Sequence, residues 1–393
     1  MNNAILHADV QAFITANLTK DIPTLLFQKS PFLKVSTQEL AGQIEAKLKS
    51  RKKLPTWFSS ENMYYANKLN ISQTSSEQTA AYKSSIVNGD SLADITAGFG
   101  VDIRAFGQKL KRVYHVEKNP ILAKIAKSNF DAMGIRNIDF ISGDGIEFLT
   151  KTAQKFDWIY VDPSRRTNAK EKVYFLSDCE PDVTKHLDLL FSKSNNILIK
   201  TGPLLDLTIG TRQLTHVKEI HIVALENEVK EVLWLLEYGF NKEPKIKVVN
   251  LINNQSVIFE FLLSEEKAAI PAFSQPHNYL YEPNAALLKS GAFKLISSRF
   301  NVHKIHTHSH LYTSEIPKEF PGRRFKIKSV FEYNKKDLKK LSLTKANITT
   351  RNFPYSVATL RKKHKLKDGG TDYLFFTKNL EDKLIFIHCF RLL

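Results

Sequence analysis

The sequence predicts an α/β protein: a doubly wound, mostly parallel sheet, preceded by a helical region and followed by a smaller α+β region. Three observations lead there. Short apolar runs alternate with helical periods between Ser91 and about residue 260. Acids close four successive strand-like runs in that stretch. The patterning on either side is different, helical before it and mixed after it. Strand and helix alternating at this interval require crossover connections, which make neighbouring strands parallel.

Residues up to about 85 read as helical. In TQELAGQIEAKLKSRKKLPTW, Leu40, Ile44 and Leu48 recur every four residues, with Ser36 or Thr37 as cap and Pro55 as terminator. SSEQTAAYKSSIV, from Ser75 to Val87, reads as a second capped helix. The strand-like runs are SLADIT, RVYHVE, IDFIS, DWIYVD, NILIKT, EIHIVA, EVLWLLEY and SVIFEFLL. Helical segments such as PILAKIAKSNFDAM, with Ile121, Ile125 and Met133 on one side, separate the first five. The later runs follow more closely, as expected where an antiparallel pair closes one edge of the sheet. EEKAAIPAFSQPHNY, with two prolines, reads as a linker. Beyond it come short strands (FKLIS, RRFKIKSVF, YLFFT, LIFIHCF) and a helix at SVATLRKKHKL. These readings divide the chain at 1–88, 89–264, 265–320 and 321–393.

Composition narrows the function classes. The 393 residues suffice for two or three domains, and 42% hydrophobic with 25% charged is ordinary for a soluble globular protein. No apolar run approaches the roughly 18 residues of a membrane span, so no membrane partner is expected. The N-terminus lacks a basic n-region and a cleavage site, which predicts a cytoplasmic protein. Two cysteines, Cys179 and Cys389, exclude a disulfide framework. The net charge is +17, and Pro321 to Leu393, with 18 Lys+Arg against 6 Asp+Glu, carries +12 of it. Such clustering favours a polyanionic partner.

The chemistry-bearing residues stand where ligands of open α/β sheets bind, at the carboxyl ends of the strands. The first strand ends at Asp94 and leads into Thr96, Gly98 and Gly100, whose glycines let a ligand lie against the turn. Ile103 occupies the position of the third glycine of a dinucleotide fingerprint, which argues against a nicotinamide oxidoreductase. Glu117 closes the second strand and suits a ribose diol, because a carboxylate can accept from two hydroxyls. Asp144 and Gly145 follow the third strand, on the adenine side. Asp162 and Pro163 follow the fourth, where an acceptor would meet the reacting group.

In this order the residues resemble class I S-adenosylmethionine (SAM)-dependent methyltransferases over about Ser91 to Thr201. ADITAGFG is similar to the family's first motif, VEKNP and GDGIEF carry its ribose-side and adenine-side acids, and VDPSRR is similar to its fourth motif. More narrowly, QTSSEQTAAYK, YLYEPNAALLKSGAF, FPGRRFKI and NFPYSVATLRKKHKLKDGGTDYLFFT resemble the bacterial methyltransferases with a THUMP-like C-terminal domain. The resemblance implies a Rossmann-like catalytic domain at 89–264, a ferredoxin-like segment at 265–320 and a basic THUMP-like domain at 321–393. It implies SAM as cofactor, with Asp94, Thr96, Gly98, Gly100, Glu117, Asp144, Gly145 and Asp162 around it. It also implies ribosomal or transfer RNA as acceptor. Arg323, Arg324, Lys326, Lys328, Arg361, Lys362, Lys363 and Lys365 are the candidates for binding that RNA. A protein or small-molecule acceptor, or an RNA-binding protein that has lost catalysis, are the alternatives.

Three further features need placing. The sequence Ser164-Arg165-Arg166 after Asp162-Pro163 lacks the aromatic that stacks a flipped base in many nucleic-acid methylases. Lys200, ending the fifth strand, together with Asp162 and a later acid (Glu226 or Glu228), resembles ribose 2′-O-methylases, in which a lysine of depressed pKa deprotonates the hydroxyl. Cys179 has acidic neighbours and lacks the positive surroundings of a nucleophilic thiol. In HKIHTHSH (His303 to His310), His306, His308 and His310 would share one face of a strand. With neither cysteine nor carboxylate nearby, no metal is expected there.

Overall fold

The computed structural model describes residues 1–165, 175–253 and 255–392, so Arg166 of the VDPSRR run lies outside the described residues. The chain forms two compact units, Met1–Ile220 with Glu231–Lys242, and His221–Lys230 with Glu243–Leu393.

The first unit opens with helices α1 (Ala8–Ala16), α2 (Thr37–Lys53), α3 (Lys68–Gln73) and α4 (Glu77–Ile86). Ser36 and Glu39 close a reciprocal capping box that starts α2. The face of α2 that packs inward carries Leu40, Gln43, Ile44 and Lys47, whereas Leu48 is 45% exposed. A strict four-residue repeat advances about 40° per step on a helix of 3.6 residues per turn, so its third member leaves the buried stripe. Ile121, in the first turn of its helix, is exposed as well, whereas Ile125 is buried.

The parallel sheet follows: β1 (Ser91–Asp94), α5 (Val101–Gly107), β2 (Arg112–Glu117), α6 (Pro120–Ala132), β3 (Ile138–Ser142), α7 (Gly145–Lys151), β4 (Trp158–Val161), α8 (Leu187–Lys193), β5 (Asn196–Thr201), α9 (Leu207–Gln213), β6 (Val217–Leu225) and β7 (Glu228–Glu237). The strand order is 3-2-1-4-5-7-6. Strands β1 to β5 are parallel, and β7 runs antiparallel to β5. The order reverses between β1 and β4, which creates a crevice at their carboxyl ends. Strands β1 and β4 are almost wholly buried, as a sheet covered on both faces requires.

In the second unit the outer end of β6 neighbours an antiparallel pair, β8 (Lys245–Ile252) and β9 (Gln255–Leu262). The sequence reading missed β8. A second sheet is built from β10 (Tyr279–Pro283), β11 (His303–Lys304), β12 (Tyr312–Ser314), β13 (Gly322–Glu332), β14 (Asn347–Thr350), β15 (Asp372–Lys378) and β16 (Leu384–Arg391), in the order 11-12-10-13-16-15-14. Its faces bury Leu280, Phe325, Phe375 and Ile387 on one side, and Leu360, Leu374, Phe376 and Phe386 on the other.

Two expectations fail here. FKLIS is not a strand, because Leu295–Phe300 is helical and ends at Asn301 in the left-handed conformation. A short apolar run cannot distinguish the two states by periodicity alone. The histidine run is extended only at His303–Lys304 and then turns, so His306, His308 and His310 do not share a strand face. Among the described residues, no helix is long and apolar enough to cross a membrane.

Candidate cofactor and active site

The crevice holds a cavity of about 760 Å³, and the sequence-predicted residues Asp94, Thr96, Gly98, Gly100, Glu117, Asp144, Gly145 and Asp162 all line it. Each is placed by a local device. Asp94 is buried at the end of β1 and accepts from the Thr96 amide (2.9 Å) and hydroxyl (3.2 Å). The Thr96 hydroxyl accepts in turn from the Asp162 amide at 2.7 Å, so one side chain clasps the ends of β1 and β4 together. Gly98 has φ +57° and donates its amide to Glu117 at 2.8 Å. Gly100 has φ +87° and lies so close to Phe130 that a Cβ would meet the ring at 2.9 Å. Gly145 is required for close approach of α7, since a Cβ would sit 2.3 Å from the Ile95 carbonyl oxygen. Asp144 caps α7 with one oxygen, accepting from the amides of Ile146 and Glu147 at 2.9 and 3.1 Å.

Glu117 accepts one backbone N–H on each oxygen, from Gly98 and from Asn119. That orientation leaves each oxygen a further lone pair for a ligand diol.

Among the described residues, six carboxylates, of Asp94, Asp102, Glu117, Asp144, Asp162 and Glu180, line the cavity against one lysine, Lys118. Lys118 is itself paired with Glu180 at 2.7 Å and lies 3.8 Å from Asp144. Burial pushes the Asp94 carboxyl well above the ordinary carboxylate range, and repulsion from Asp102 and Asp162 adds to the shift.

Behind the cavity lies an ionic cluster that sequence reasoning missed. Lys83 of α4 is fully buried, with its ammonium 2.8 Å from both oxygens of Glu231, 3.2 Å from Asp102 and 2.9 Å from the Ser75 hydroxyl. Ser75 and Tyr160 both donate to Asp102 at 2.9 Å. Lys200 pairs with Asp162 and stands outside the cavity lining, as does the buried Pro163. Burial would lower the Lys200 pKa, but Asp162, Glu231 and Asp102 outweigh it and hold the ammonium above its ordinary range. The depressed pKa of a lysine base is therefore not what this site produces. The later acid whose charge acts on Lys200 is Glu231. Glu226 instead turns the β6–β7 hairpin, and Glu228 pairs with Lys230.

A solved structure from Porphyromonas gingivalis W83, assigned as a methyltransferase, is 30% identical, covers 100% of both chains and superimposes with a TM-score of 0.90. Family models describe residues 279–321 as a ferredoxin-like domain and 322–391 as THUMP domain-like. The chain belongs to this bacterial family of class I methyltransferases with a THUMP-like tail. A curated relative, the protein-L-isoaspartate O-methyltransferase of Petrotoga mobilis, is 35% identical over 72 residues. That match spans 18% of this chain and only about a third (34%) of the curated relative's length.

The methyltransferase's candidate RNA-binding residues lie in its second unit. Arg323 pairs with Glu282, Arg324 with Glu319 and Arg361 with Asp368. Those three guanidinium groups are engaged within the fold. Lys326, Lys328, Lys362 and Lys365 are exposed and make no ion pair among the described residues, while exposed Lys363 lies over the rings of Tyr355 (4.6 Å) and Tyr333 (5.1 Å). Cys179 is buried, its thiol facing the Phe175 carbonyl, and burial raises the Cys389 thiol. His306 contacts Asp382 at 3.2 Å, and His310 stacks on Phe293 at 3.6 Å. Burial first, then the charges of Lys304 and Arg351, lower the His310 pKa to about 4.

The buried cluster makes a stability prediction for the methyltransferase. Lys83→Met leaves Glu231 and Asp102 uncompensated and should cost about 3–5 kcal/mol in chemical denaturation. Adding Glu231→Gln should restore a substantial part of that loss. A Lys83→Met variant as stable as the parent would show that the cluster contributes nothing.

Proposed function

We propose that this methyltransferase uses SAM and methylates RNA, ribosomal or transfer. The acidic cavity carries the cofactor reading. SAM is a cation at its sulfonium and ammonium groups, and the six carboxylates that line the cavity among the described residues, against one committed lysine, suit it. A dinucleotide would have to place its pyrophosphate in the same field, where like charges repel. The residues present fit SAM: glycines free the turn for a ligand, and Glu117 offers lone pairs to a diol. When bound, SAM supplies an electrophilic methyl group. The chain's own part is to fix Asp162 beside the acceptor, through Thr96 and Lys200.

The RNA reading rests on the exposed lysines of the THUMP-like region and on a net charge of +17. Each phosphate contact adds about 0.9 to the logarithmic salt slope on duplex nucleic acid, and about 0.7 on single strands. Reversing Lys362, Lys363 and Lys365 to Glu should therefore weaken binding of structured RNA at low salt by tenfold or more. It should also flatten the slope by about two units, with SAM affinity unchanged. Salt-titrated binding measures both. Unchanged RNA affinity, or no binding by the parent at low salt, points to a protein or small-molecule acceptor.

A further inference from the structure

We infer that the seam between α2 and α3, with Lys49, Lys52, Lys53 and Lys68 along it, is a second RNA-binding surface that leads the backbone to the rim of the cavity. This rests on the RNA reading above and adds to it a contact surface in the first unit. The need for one comes from the cavity. Among the described residues its lining holds six carboxylates, and its one lysine is held by Glu180 and Asp144. A nucleotide that enters brings its phosphates into that field, where like charges repel. Cations at the rim offset the repulsion, and the end of α2 supplies them.

Residues 47–53, KLKSRKK, hold five cations. They divide between two faces of α2. Lys47 and Arg51 lie over the Phe58 ring at 6.0 and 5.8 Å, and Lys47 also donates to the Thr15 hydroxyl at 3.0 Å. Lys52 and Lys53 stand three and four residues after Lys49, so these three share the other face. That face meets α3. Lys53 donates to the carbonyls of Ile71 (3.1 Å) and Ser72 (2.7 Å), and Lys49 donates to the Ser72 hydroxyl. Lys68, at the start of α3, extends the row and pairs with Glu45 at 3.1 Å. Ser72 is followed by Gln73 and Thr74, which line the cavity, so the row ends at its rim. Another nearby acid, Glu77, accepts from the Thr56 amide and hydroxyl at 2.7 Å each. Lys49 and Lys52 are exposed and make no ion pair among the described residues. The helix dipole favours the cations of the last turn, Arg51 to Lys53, but not Lys49 one turn earlier. Lys49 and Lys53, four residues apart, repel each other, as do Lys47 and Arg51. A cationic row that works against its own helix, beside a mouth lined with acids, fits a polyanion laid along it.

The test is Lys49→Gln/Lys52→Gln in the full chain, which leaves the Lys53 anchors in place. The probes are ribosomal and transfer RNA from a strain lacking the protein. At low salt the variant should bind tenfold or more weakly than the parent, with a salt slope flatter by about 1.4 to 1.8 units for two lost phosphate contacts. The deficit should close as salt rises, because exposed charges are screened. SAM affinity should stay within twofold of the parent, since neither lysine lines the cavity, and the melting temperature should be unchanged. In methyl transfer the KM for RNA should rise while kcat holds. If reversal of Lys362, Lys363 and Lys365 weakens RNA binding but the seam variant binds as the parent does, the inference is overturned and the RNA reading stands. A loss of equal size at every salt concentration also overturns it, because that marks a folding defect. No RNA binding by the parent at low salt removes the RNA reading and the seam with it.

Discussion

Asp94→Asn is expected to yield a protein that melts higher than the parent and binds SAM about 30-fold or more weakly. The two effects have one origin. Asp94 is buried among acids, with Thr96 alone donating to it among the described residues, and burial first, then those acids, hold its carboxyl above the ordinary range. Asparagine keeps an oxygen for the Thr96 amide and removes the buried charge, which relieves repulsion from Asp102 and Asp162. The same charge faces a cationic ligand, and removing a buried partner of a charged group costs about 2–5 kcal/mol of binding. The pH dependence follows by linkage. Between the unfolded and the raised folded pKa, the native state holds a proton that the unfolded chain has released, so parent stability falls as pH rises through that window. The stability gain of Asp94→Asn should therefore be larger at pH 8 than at pH 5. SAM binding by the parent, which favours the ionised carboxylate, should tighten over the same range. Thermal melts at the two pH values and calorimetry test both halves. A variant less stable than the parent at pH 8 would refute the argument.

Asp162→Asn should abolish methyl transfer, by a factor of about 100 to 10,000, while SAM affinity stays within a few-fold. That range is what a positioned acid or base contributes to proton transfer. Asp162 is the acid at the end of β4, fixed through its amide by Thr96 and through its carboxylate by Lys200. Asparagine preserves the shape and loses the charge. Lys200→Met should be milder, about tenfold, because a protonated lysine orients Asp162 and does not take the proton. The rate–pH profile of the parent should show no rise attributable to Lys200 near neutrality. Incorporation of labelled methyl groups from SAM into RNA of a strain lacking the protein is the measurement. Full turnover by Asp162→Asn would reduce Asp162 to a loop acid.

The parallel core was legible because each of β1 to β5 is a short apolar run closed by a polar residue, and their order leaves little topological freedom. The acids at the strand ends were legible for the same reason, since position along a strand fixes which edge a residue reaches. The ionic cluster was not. Lys83 and Glu231 are 148 residues apart, and nothing in either local pattern distinguishes a lysine that will be fully buried from one on a solvated face. Asp102 reads as an ordinary first-turn acid of α5, and only its contacts with Ser75 and Tyr160 reveal another use. The paired arginines illustrate the converse. Charge counting marks Arg323 and Arg361 as free for a polyanion, whereas Glu282 and Asp368 already hold them.

The second sheet has a consequence for how this protein can be cut. The boundary between the ferredoxin-like and THUMP-like matches falls between residues 321 and 322, yet β10 on one side pairs along its length with β13 on the other. Neither half is a module in the sense of a part that can be shuffled between genes. Severed there, each fragment would present a bare row of backbone donors and acceptors, the template on which chains aggregate or exchange strands. The pair should therefore melt as one cooperative block and be inherited together. A tail-deletion that begins at Pro321 would report the collapse of β10 rather than the absence of an RNA-binding surface, whereas surface charge reversal leaves the ladder whole.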